Sequence, residues 1–153
     1  MSLEQDRPSI EELESRARVL RRHIIEMTTA ARSGHPTSSL SATEVVTAIY
    51  FGGFLNYRAD EPDWAERDRF IMSKGHAVPV LYAAMAEAGY FPTEDLATLR
   101  KLGSPLEGHP NVRRLPGIEA STGSLGQGLS IGLGQALGCR SNGHDSRIFV
   151  VLG

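Results

Sequence analysis

Two short apolar runs, "RFIMS" at residues 69–73 and "RIFVVLG" at residues 147–153, decide the fold class. Each has the length and composition of a buried β-strand, and helical segments lie between them. Strands that alternate with helices favour a parallel sheet covered by helices on both faces. Two strands are too few for such a sheet, so we expect an α/β fold that is incomplete in this chain. Ligands of such sheets bind just beyond the carboxyl ends of the strands.

The first predicted helix begins with a capping box, in which Ser9 is paired with Glu12. Its apolar residues recur at spacings of three and four, which predicts an amphipathic helix. They are Ile10, Leu13, Ala17, Leu20, Ile24, Met27 and Ala31. Gly34 and Pro36 are expected to end this helix.

A second capping box, Ser41 with Glu44, predicts the next helix. Further helices are predicted for residues 78–87 and for a short segment with Thr93 as its cap. Residues 125–140 have the character of a helix, but five glycines interrupt it. Each glycine costs about 1 kcal/mol relative to alanine, so we expect this helix to pack very closely against a neighbour.

Composition excludes several classes of protein. The 153 residues have the size of one domain, and 41% of them are apolar, which is enough for a core. The net charge of −2 gives no basic excess for nucleic acid or an anionic membrane. No apolar run approaches the ~20 residues of a membrane span. A single cysteine, Cys139, and a polar, acidic start without a signal peptide favour the cytoplasm.

Glycine directly precedes four of the five histidines. His35 in "SGHP", His76 in "SKGHA" and His109 in "EGHP" fall at the ends of predicted elements, whereas His144 lies in a polar surface turn. Glycine allows sharp turns and close approach to a ligand, and proline stiffens the residue before it. A histidine held on such a turn can bind a substrate or move a proton near neutral pH.

Other interpretations of these segments remain open. The histidines could be exposed imidazoles of ordinary turns. A zinc site is disfavoured because the histidines are far apart in sequence and no acidic pair accompanies them. The G-x-G spacing at residues 120–138 is disfavoured as a dinucleotide fingerprint, since a loop rather than a strand precedes it. The start of that segment, "STGSLGQG", could meet a ligand with its backbone groups.

Six segments in order resemble transketolase, and most closely the amino-terminal subunit of the split, two-chain type. They are "SGHP", "DRFIMSKGHA", "GYFPTEDL", "LGSPLEGHP", "PGIEASTGSLGQGLS" and "VVLG". The resemblance implies that residues 1–153 are the amino-terminal part of a thiamine diphosphate-binding domain. It also implies a cytoplasmic transferase of the pentose phosphate pathway, which moves a two-carbon ketol unit from a ketose phosphate to an aldose phosphate.

The resemblance assigns roles to single residues. His35 matches a histidine that contacts substrate and assists proton transfer, and His109 matches one that contacts the hydroxyls of the donor. His76 matches a histidine near the cofactor diphosphate. The stretch against the aminopyrimidine and thiazolium of the cofactor corresponds to Gly123, Ser124 and Leu125.

The resemblance also implies what this chain lacks. In the family "VVLG" continues as Gly-Asp-Gly, and this Asp and a later Asn hold the Mg²⁺ that binds the diphosphate. The metal ligands are therefore expected beyond Gly153, and none is assigned here. A carboxy-terminal subunit would bind the aminopyrimidine, in a dimer of heterodimers, and the 153 residues alone would be inactive.

Two further expectations concern departures and alternatives. Many relatives have two glycines after the proline of "SGHP", where this chain has Thr37 and Ser38; these either alter substrate fit or face solvent, and we expect the latter. The alternative function is a truncated, non-catalytic module that pairs with another protein through an exposed sheet edge. Whether coding sequence continues with Asp-Gly after Gly153 separates the two hypotheses.

Overall fold

The computed structural model of the protein describes residues 7–153. Its helices and strands are α1 (Ile10–Ala31), α2 (Pro36–Ser41), α3 (Thr43–Phe51), β1 (Arg69–Met72), α4 (Val78–Glu87), α5 (Gln127–Ser141) and β2 (Ile148–Val151). Two 3₁₀ turns, Gly75–Ala77 and Thr93–Thr98, flank α4. The segment between the second turn and α5 is a loop, in agreement with the glycine- and proline-rich sequence of residues 103–122. Within the described residues, no helix is both long and apolar enough to cross a membrane.

The strands β1 and β2 pair in parallel, with Phe70 opposite Phe149 and Met72 opposite Val151. Side chains alternate across the sheet. Phe70 and Met72 enter the core that α1, α3 and α4 share, and Phe149 and Val151 pack against it. Ile71 and Val150 face α5 on the other side, where both approach Gly132. The predicted α/β fold, with a parallel sheet and helices on both of its faces, is confirmed.

The helix α4 is the centre of the core. Residues 78–86 are all buried, and the helix packs against α1 and α3. This explains why the sequence of α4 is apolar or small on every side rather than on one face. The stripe of α1 is buried at Leu20, Ile24 and Met27, whereas Ile10 at its start is exposed.

A buried carboxylate ties the starts of the two strands together. Asp68 lies just before β1 and accepts a hydrogen bond of 2.7 Å from the backbone N–H of Arg147, which lies just before β2. It also accepts a bond of 2.9 Å from the N–H of Asn56. Burial opposes the charge of Asp68, but the bonds from Arg147 and Asn56 outweigh it and lower the pKa. The network fixes the two strands in register at their amino-terminal ends.

The predicted end of the first helix is wrong. The Ser9–Glu12 capping box is present, with N···O distances of 2.7 and 3.2 Å. At the other end the chain leaves the helix at Arg32, whose φ of 49° places it in the left-handed region. Its N–H caps the carbonyls of Thr28 and Thr29. Pro36 begins α2 instead of terminating α1, in agreement with the preference of proline for the first turn of a helix.

The second and third caps are also wrong. Ser41 lies inside α2 and donates to the carbonyl of Ser38 at 2.9 Å, so it cannot adopt the extended backbone of an N-cap. Glu44 forms an ion pair with Arg21 instead. Thr93 is the first residue of a 3₁₀ turn whose N-cap is Pro92. In each case the tertiary path of the chain overrides a local signal.

The close packing expected of the glycine-rich helix occurs on one face of α5 only. A Cβ built on Gly132 would lie 2.5 Å from Val150 Cγ2, and one on Gly128 would lie 2.6 Å from Ser73 Cβ. Gly134 and Gly138 meet no atom within 4 Å. The first two glycines therefore let α5 lie on the sheet, and the others face outward.

We expect Gly132→Ala to destabilise the fold by about 1–3 kcal/mol, because the added methyl group would overpack the contact with Val150. The matched control is Gly134→Ala, two residues along the same helix, which should stabilise by up to about 1 kcal/mol through helix propensity. Urea unfolding of the two variants and the parent chain measures both changes. Equal effects of the two substitutions would show that α5 does not pack on the sheet through Gly132.

Candidate functional site

The site is built around the carboxyl end of β1. The chain leaves the strand at Ser73 and enters the 3₁₀ turn that carries His76. A Cβ on Gly75 would lie 2.7 Å from the carbonyl carbon of Thr122 and 2.8 Å from the N of Gly123. Only glycine permits this approach. The turn of His76 and the loop that leads into α5 are therefore in direct backbone contact.

Two buried hydrogen bonds hold this contact in place. The hydroxyl of Thr122 donates to the carbonyl of Met72 at 2.6 Å, and the N–H of Gly128 donates to the hydroxyl of Ser73 at 3.1 Å. Sequence reasoning missed both hydroxyls, although each stands within two residues of a motif glycine. They connect the end of β1 to the stretch before α5 and to the start of α5 itself.

The three histidines singled out from the sequence converge at this place. The rings of His35 and His76 meet edge to face, with centroids 5.2 Å apart. The ring of His109 lies against Gly123, with its Cδ2 atom 3.3 Å from the position that a Cβ would take. His35 and His109 are exposed and His76 is partly buried. The cluster therefore presents imidazoles to a ligand from two sides of the 122–123 backbone.

Ser38 belongs to the cluster, contrary to the expectation that it faces solvent. Its Oγ lies 3.1 Å from Nε2 of His76, a hydrogen bond in which the tautomer of the imidazole decides the donor. Thr37 is exposed. The available signal was spacing: residues three apart on a helix share a face, and Ser38 follows His35 by three at the first turn of α2.

The surroundings lower the affinity of two of these imidazoles for protons. Burial is the main cause for His76, followed by the charges of His35 and Lys74, and together they lower its pKa. Burial, then Arg100 and His35, lower the pKa of His109. Both rings are therefore held in the neutral form, which can accept a proton.

The stretch of residues 123–125 lies beside the histidines and is exposed. Gly123 offers bare backbone, and the side chain of Leu125 is 63% exposed just before α5 begins. An exposed backbone next to an apolar side chain fits an aromatic cofactor ring, and the neighbouring imidazoles fit polar groups. Among the described residues, no side-chain hydrogen bond joins Ser124 to the three histidines, whereas Ser38 is bonded to His76.

A metal ion does not fit this part of the chain. Residues 7–153 hold no group of three or more histidine, cysteine, aspartate or glutamate side chains placed to bind one. The three imidazoles converge, but their partners are Ser38 and the 122–123 backbone, and no carboxylate joins them.

An open cavity of about 500 Å³ borders the site on the His109 side. Arg100, Ser104 and Glu107 contribute to its wall together with His109. Arg100 was not recognised in the sequence, where it is one of several exposed basic residues. It contacts both loops that carry the exposed histidines.

The structure is an α/β domain in which three histidines lie together near the carboxyl end of a parallel strand. Comparison with known proteins agrees: residues 12–145 match the family described as "Transketolase, thiamine diphosphate binding domain". The chain belongs to the transketolase family.

Three relatives illustrate the match. Transketolase of Pongo abelii is 42% identical over 149 residues, which are 97% of this chain and 24% of that protein. One of the subunits of the apulose-4-phosphate transketolase of Phocaeicola vulgatus is 39% identical over 94% of this chain and 50% of that protein. The structure of transketolase from Pichia stipitis in complex with sedoheptulose-7-phosphate superposes with a TM-score of 0.88 and 33% identity, over 92% of this chain and 22% of that chain. This chain thus spans about a quarter to about half of the length of the curated relatives that it matches.

Replacing His35 with glutamine should raise the pKa of both His76 and His109 toward 6.5, because the interaction with His35 is, after burial, one of the causes that lower both values. Histidine titration by NMR measures both values. The control His144→Gln removes an imidazole that is bonded to Glu66 outside the site and should change neither. If the pKa of neither ring changes in His35→Gln, the three histidines do not lie together as described.

The same pKa shifts determine how the free energy of unfolding changes with pH. The folded pKa values of His76 and His109 lie below the ordinary 6.5, so the folded chain binds these protons less readily than the unfolded chain does. Their contribution to the free energy of unfolding is fully present above pH 6.5 and is lost as the pH falls through the lowered values.

Proposed function

We propose that this chain is the amino-terminal part of a thiamine diphosphate-binding transketolase subunit, and that the whole enzyme transfers a two-carbon ketol unit between sugar phosphates. The observation that carries the proposal is the convergence of His35, His76 and His109 on the exposed stretch of residues 123–125. Family membership supports the same conclusion.

The cofactor would lie along residues 123–125. Gly123 lets a ring approach the backbone, and Leu125 supplies an apolar surface for it. His76, held by Ser38 at 3.1 Å, would donate or accept a hydrogen bond at the diphosphate side. Thiamine diphosphate, when bound, supplies the carbanion stabilisation that breaking and forming a carbon–carbon bond requires.

The exposed imidazoles of His35 and His109 would handle the protons and hydroxyls of the sugar. Both rings project from stiff turns that end in proline, at "SGHP" and "EGHP". A neutral imidazole can take a proton from a sugar hydroxyl and return it to a carbonyl oxygen. The lowered pKa of His109 keeps that ring in the accepting form near neutral pH. The similarity to the complex of the Pichia stipitis enzyme with sedoheptulose-7-phosphate supports a sugar phosphate as substrate.

A second subunit would complete the site. The similarity to the Phocaeicola vulgatus protein, which is itself one subunit of a transketolase, supports this arrangement. An exposed apolar stripe also begins at the proposed cofactor stretch and runs along α5. Its members are Leu125, Leu129, Leu133 and Leu137, each more than half exposed. Exposed apolar patches on proteins often mark sites of interaction with another protein, and the stripe therefore supports a partner on this side of α5.

The Mg²⁺ expected with the diphosphate would take its protein ligands from outside residues 7–153, because this part of the chain offers no suitable group. We assign no step of the reaction to a metal ligand of this part of the chain.

Replacing His35 with alanine should lower kcat for ketol transfer by about 10²–10⁴-fold, the usual contribution of a positioned acid or base. The measurement is steady-state turnover of the assembled two-subunit enzyme with a ketose phosphate donor. The control His144→Ala lies outside the site and should keep the turnover of the wild type. Full turnover of His35→Ala would exclude a role for this ring in the reaction. A wild-type assembly that forms but transfers nothing would instead support the non-catalytic module.

Replacing Leu125 with aspartate should weaken thiamine diphosphate binding at least about tenfold, because a charge would replace the apolar surface under the ring. Calorimetric titration of the assembled enzyme measures the affinity. Ile25→Asp provides a matched control, since Ile25 is a half-exposed apolar residue in the middle of α1. An affinity equal to that of the control would place the cofactor elsewhere.

A further inference from the structure

Arg100 bridges the two turns that carry the exposed histidines. Its Nη1 donates a hydrogen bond of 2.8 Å to the hydroxyl of Ser33, two residues before His35. Its Nη2 lies 3.5 Å from the carbonyl oxygen of Gly108, the residue before His109. One guanidinium group thus touches both turns, although 67 residues separate Ser33 from Arg100 in sequence.

The guanidinium also explains the glycine before His109. A Cβ on Gly108 would lie 2.6 Å from Nη2 and 2.7 Å from both Cζ and Nε of Arg100. Nearly equal distances to three atoms of a planar group mean that the plane lies flat on Gly108. The φ of Gly108 is not positive, so glycine is not needed for the conformation of the turn. A side chain at this position would displace the guanidinium group of Arg100 from its present place.

The base of Arg100 is firmly held. Its N–H donates to the carbonyl of Leu106 at 2.8 Å, and both Leu99 before it and Leu106 are buried. Its φ of 59° is unusual for a residue with a side chain. Such conformations cost free energy and persist only where the surroundings fix them. The chain accepts this cost at the residue that bridges the two turns.

We propose that Arg100 is a positioning residue that fixes the His35 turn relative to the His109 turn, and so sets the geometry in which both imidazoles meet the sugar. The inference rests on the proposed function for its catalytic consequence, but the bridge itself does not. Arg100 acts through the turns rather than on substrate, since Nη1 is bonded to Ser33 and one face of its plane is covered by Gly108.

Arginine suits this role better than lysine. Its planar fork can donate to one turn while it stacks on the other, whereas an ammonium group is a single point of charge. Its charge also lowers the pKa of His109, after burial as the larger cause. Arg100→Lys therefore retains a positive charge and removes the bridge, and Arg100→Gln removes both.

The test is a double-mutant cycle on the assembled enzyme, with Ser33→Ala as the partner substitution. We expect Arg100→Lys and Arg100→Gln to lower kcat/KM for the donor roughly tenfold to a hundredfold, as displaced catalytic groups do. Thiamine diphosphate affinity should stay within about twofold of wild type. Ser33→Ala should lower kcat/KM, but should have no further effect in the Arg100→Gln background, because the bridge is already lost. Arg113→Gln removes an exposed charge from the neighbouring loop and is the charge-matched control.

Three results would overturn the proposal: wild-type kcat/KM in Arg100→Lys, additive effects of Ser33→Ala and Arg100→Gln, or equal losses in Arg100→Gln and Arg113→Gln. A second readout does not depend on activity. Ser33→Ala should move the NMR signals of the His109 ring, because Arg100 touches both turns, and it should not move them in the Arg100→Gln background. Signals that do not move in the first case, or move equally in both, would contradict the bridge. If the wild-type assembly transfers no ketol unit, the proposed function fails while this readout still decides the role of Arg100.

Discussion

The site depends on one close contact between Gly75 and the backbone of Thr122 and Gly123. A Cβ atom built on Gly75 would lie only 2.7–2.8 Å from backbone atoms of these two residues. No residue with a side chain fits there, and without the contact His76 and residues 123–125 would separate. The hydroxyls of Thr122 and Ser73 hold the contact through buried hydrogen bonds to neighbouring backbone. The sheet thus fixes the loop before α5 through main-chain atoms, which leaves the side chains of the histidines available to a ligand.

The buried helix α4 supports two of these histidines. The turn that carries His76 leads into α4, which is buried on every side, and the hydroxyl of Tyr82 in that helix donates to the carbonyl of His109 at 3.4 Å. Arg100 contacts the turns of both His35 and His109 through its guanidinium group. Such support matters for side chains that act on a reacting sugar, because a small displacement of a catalytic group lowers the reaction rate strongly.

Electrostatics and position act in the same direction. His35 and Lys74 disfavour a proton on His76, and Arg100 and His35 disfavour one on His109, in each case after burial. His76 and His109 are therefore proton acceptors near neutral pH. This agrees with the proposed exchange of protons with sugar hydroxyls. The stripe of exposed leucines starts at Leu125, just before α5, and continues along that helix. It therefore lies next to the histidines, on the surface where a second subunit is proposed.

The sequence by itself determined the elements with strong periodicity or composition: both strands, the stripe of α1, the helix α4, and the Gly-His turns with the stretch before α5. Local patterns suffice there because each signal lies within a few neighbouring residues. Only the tertiary structure decided that α1 ends at Arg32, that Ser41 caps nothing, and that Ser38 and Arg100 join the site. Ser38 and Arg100 join the site through contacts with His76 and Ser33, which are far away in sequence, and the packing of α5 depends on which of its faces meets the sheet. The bonds of Arg32 and Ser41 are local, but they displace the competing local signals only in the folded chain. A hydrogen bond or a close backbone approach is set by where the folded chain places its two partners, and local sequence carries no record of that distance.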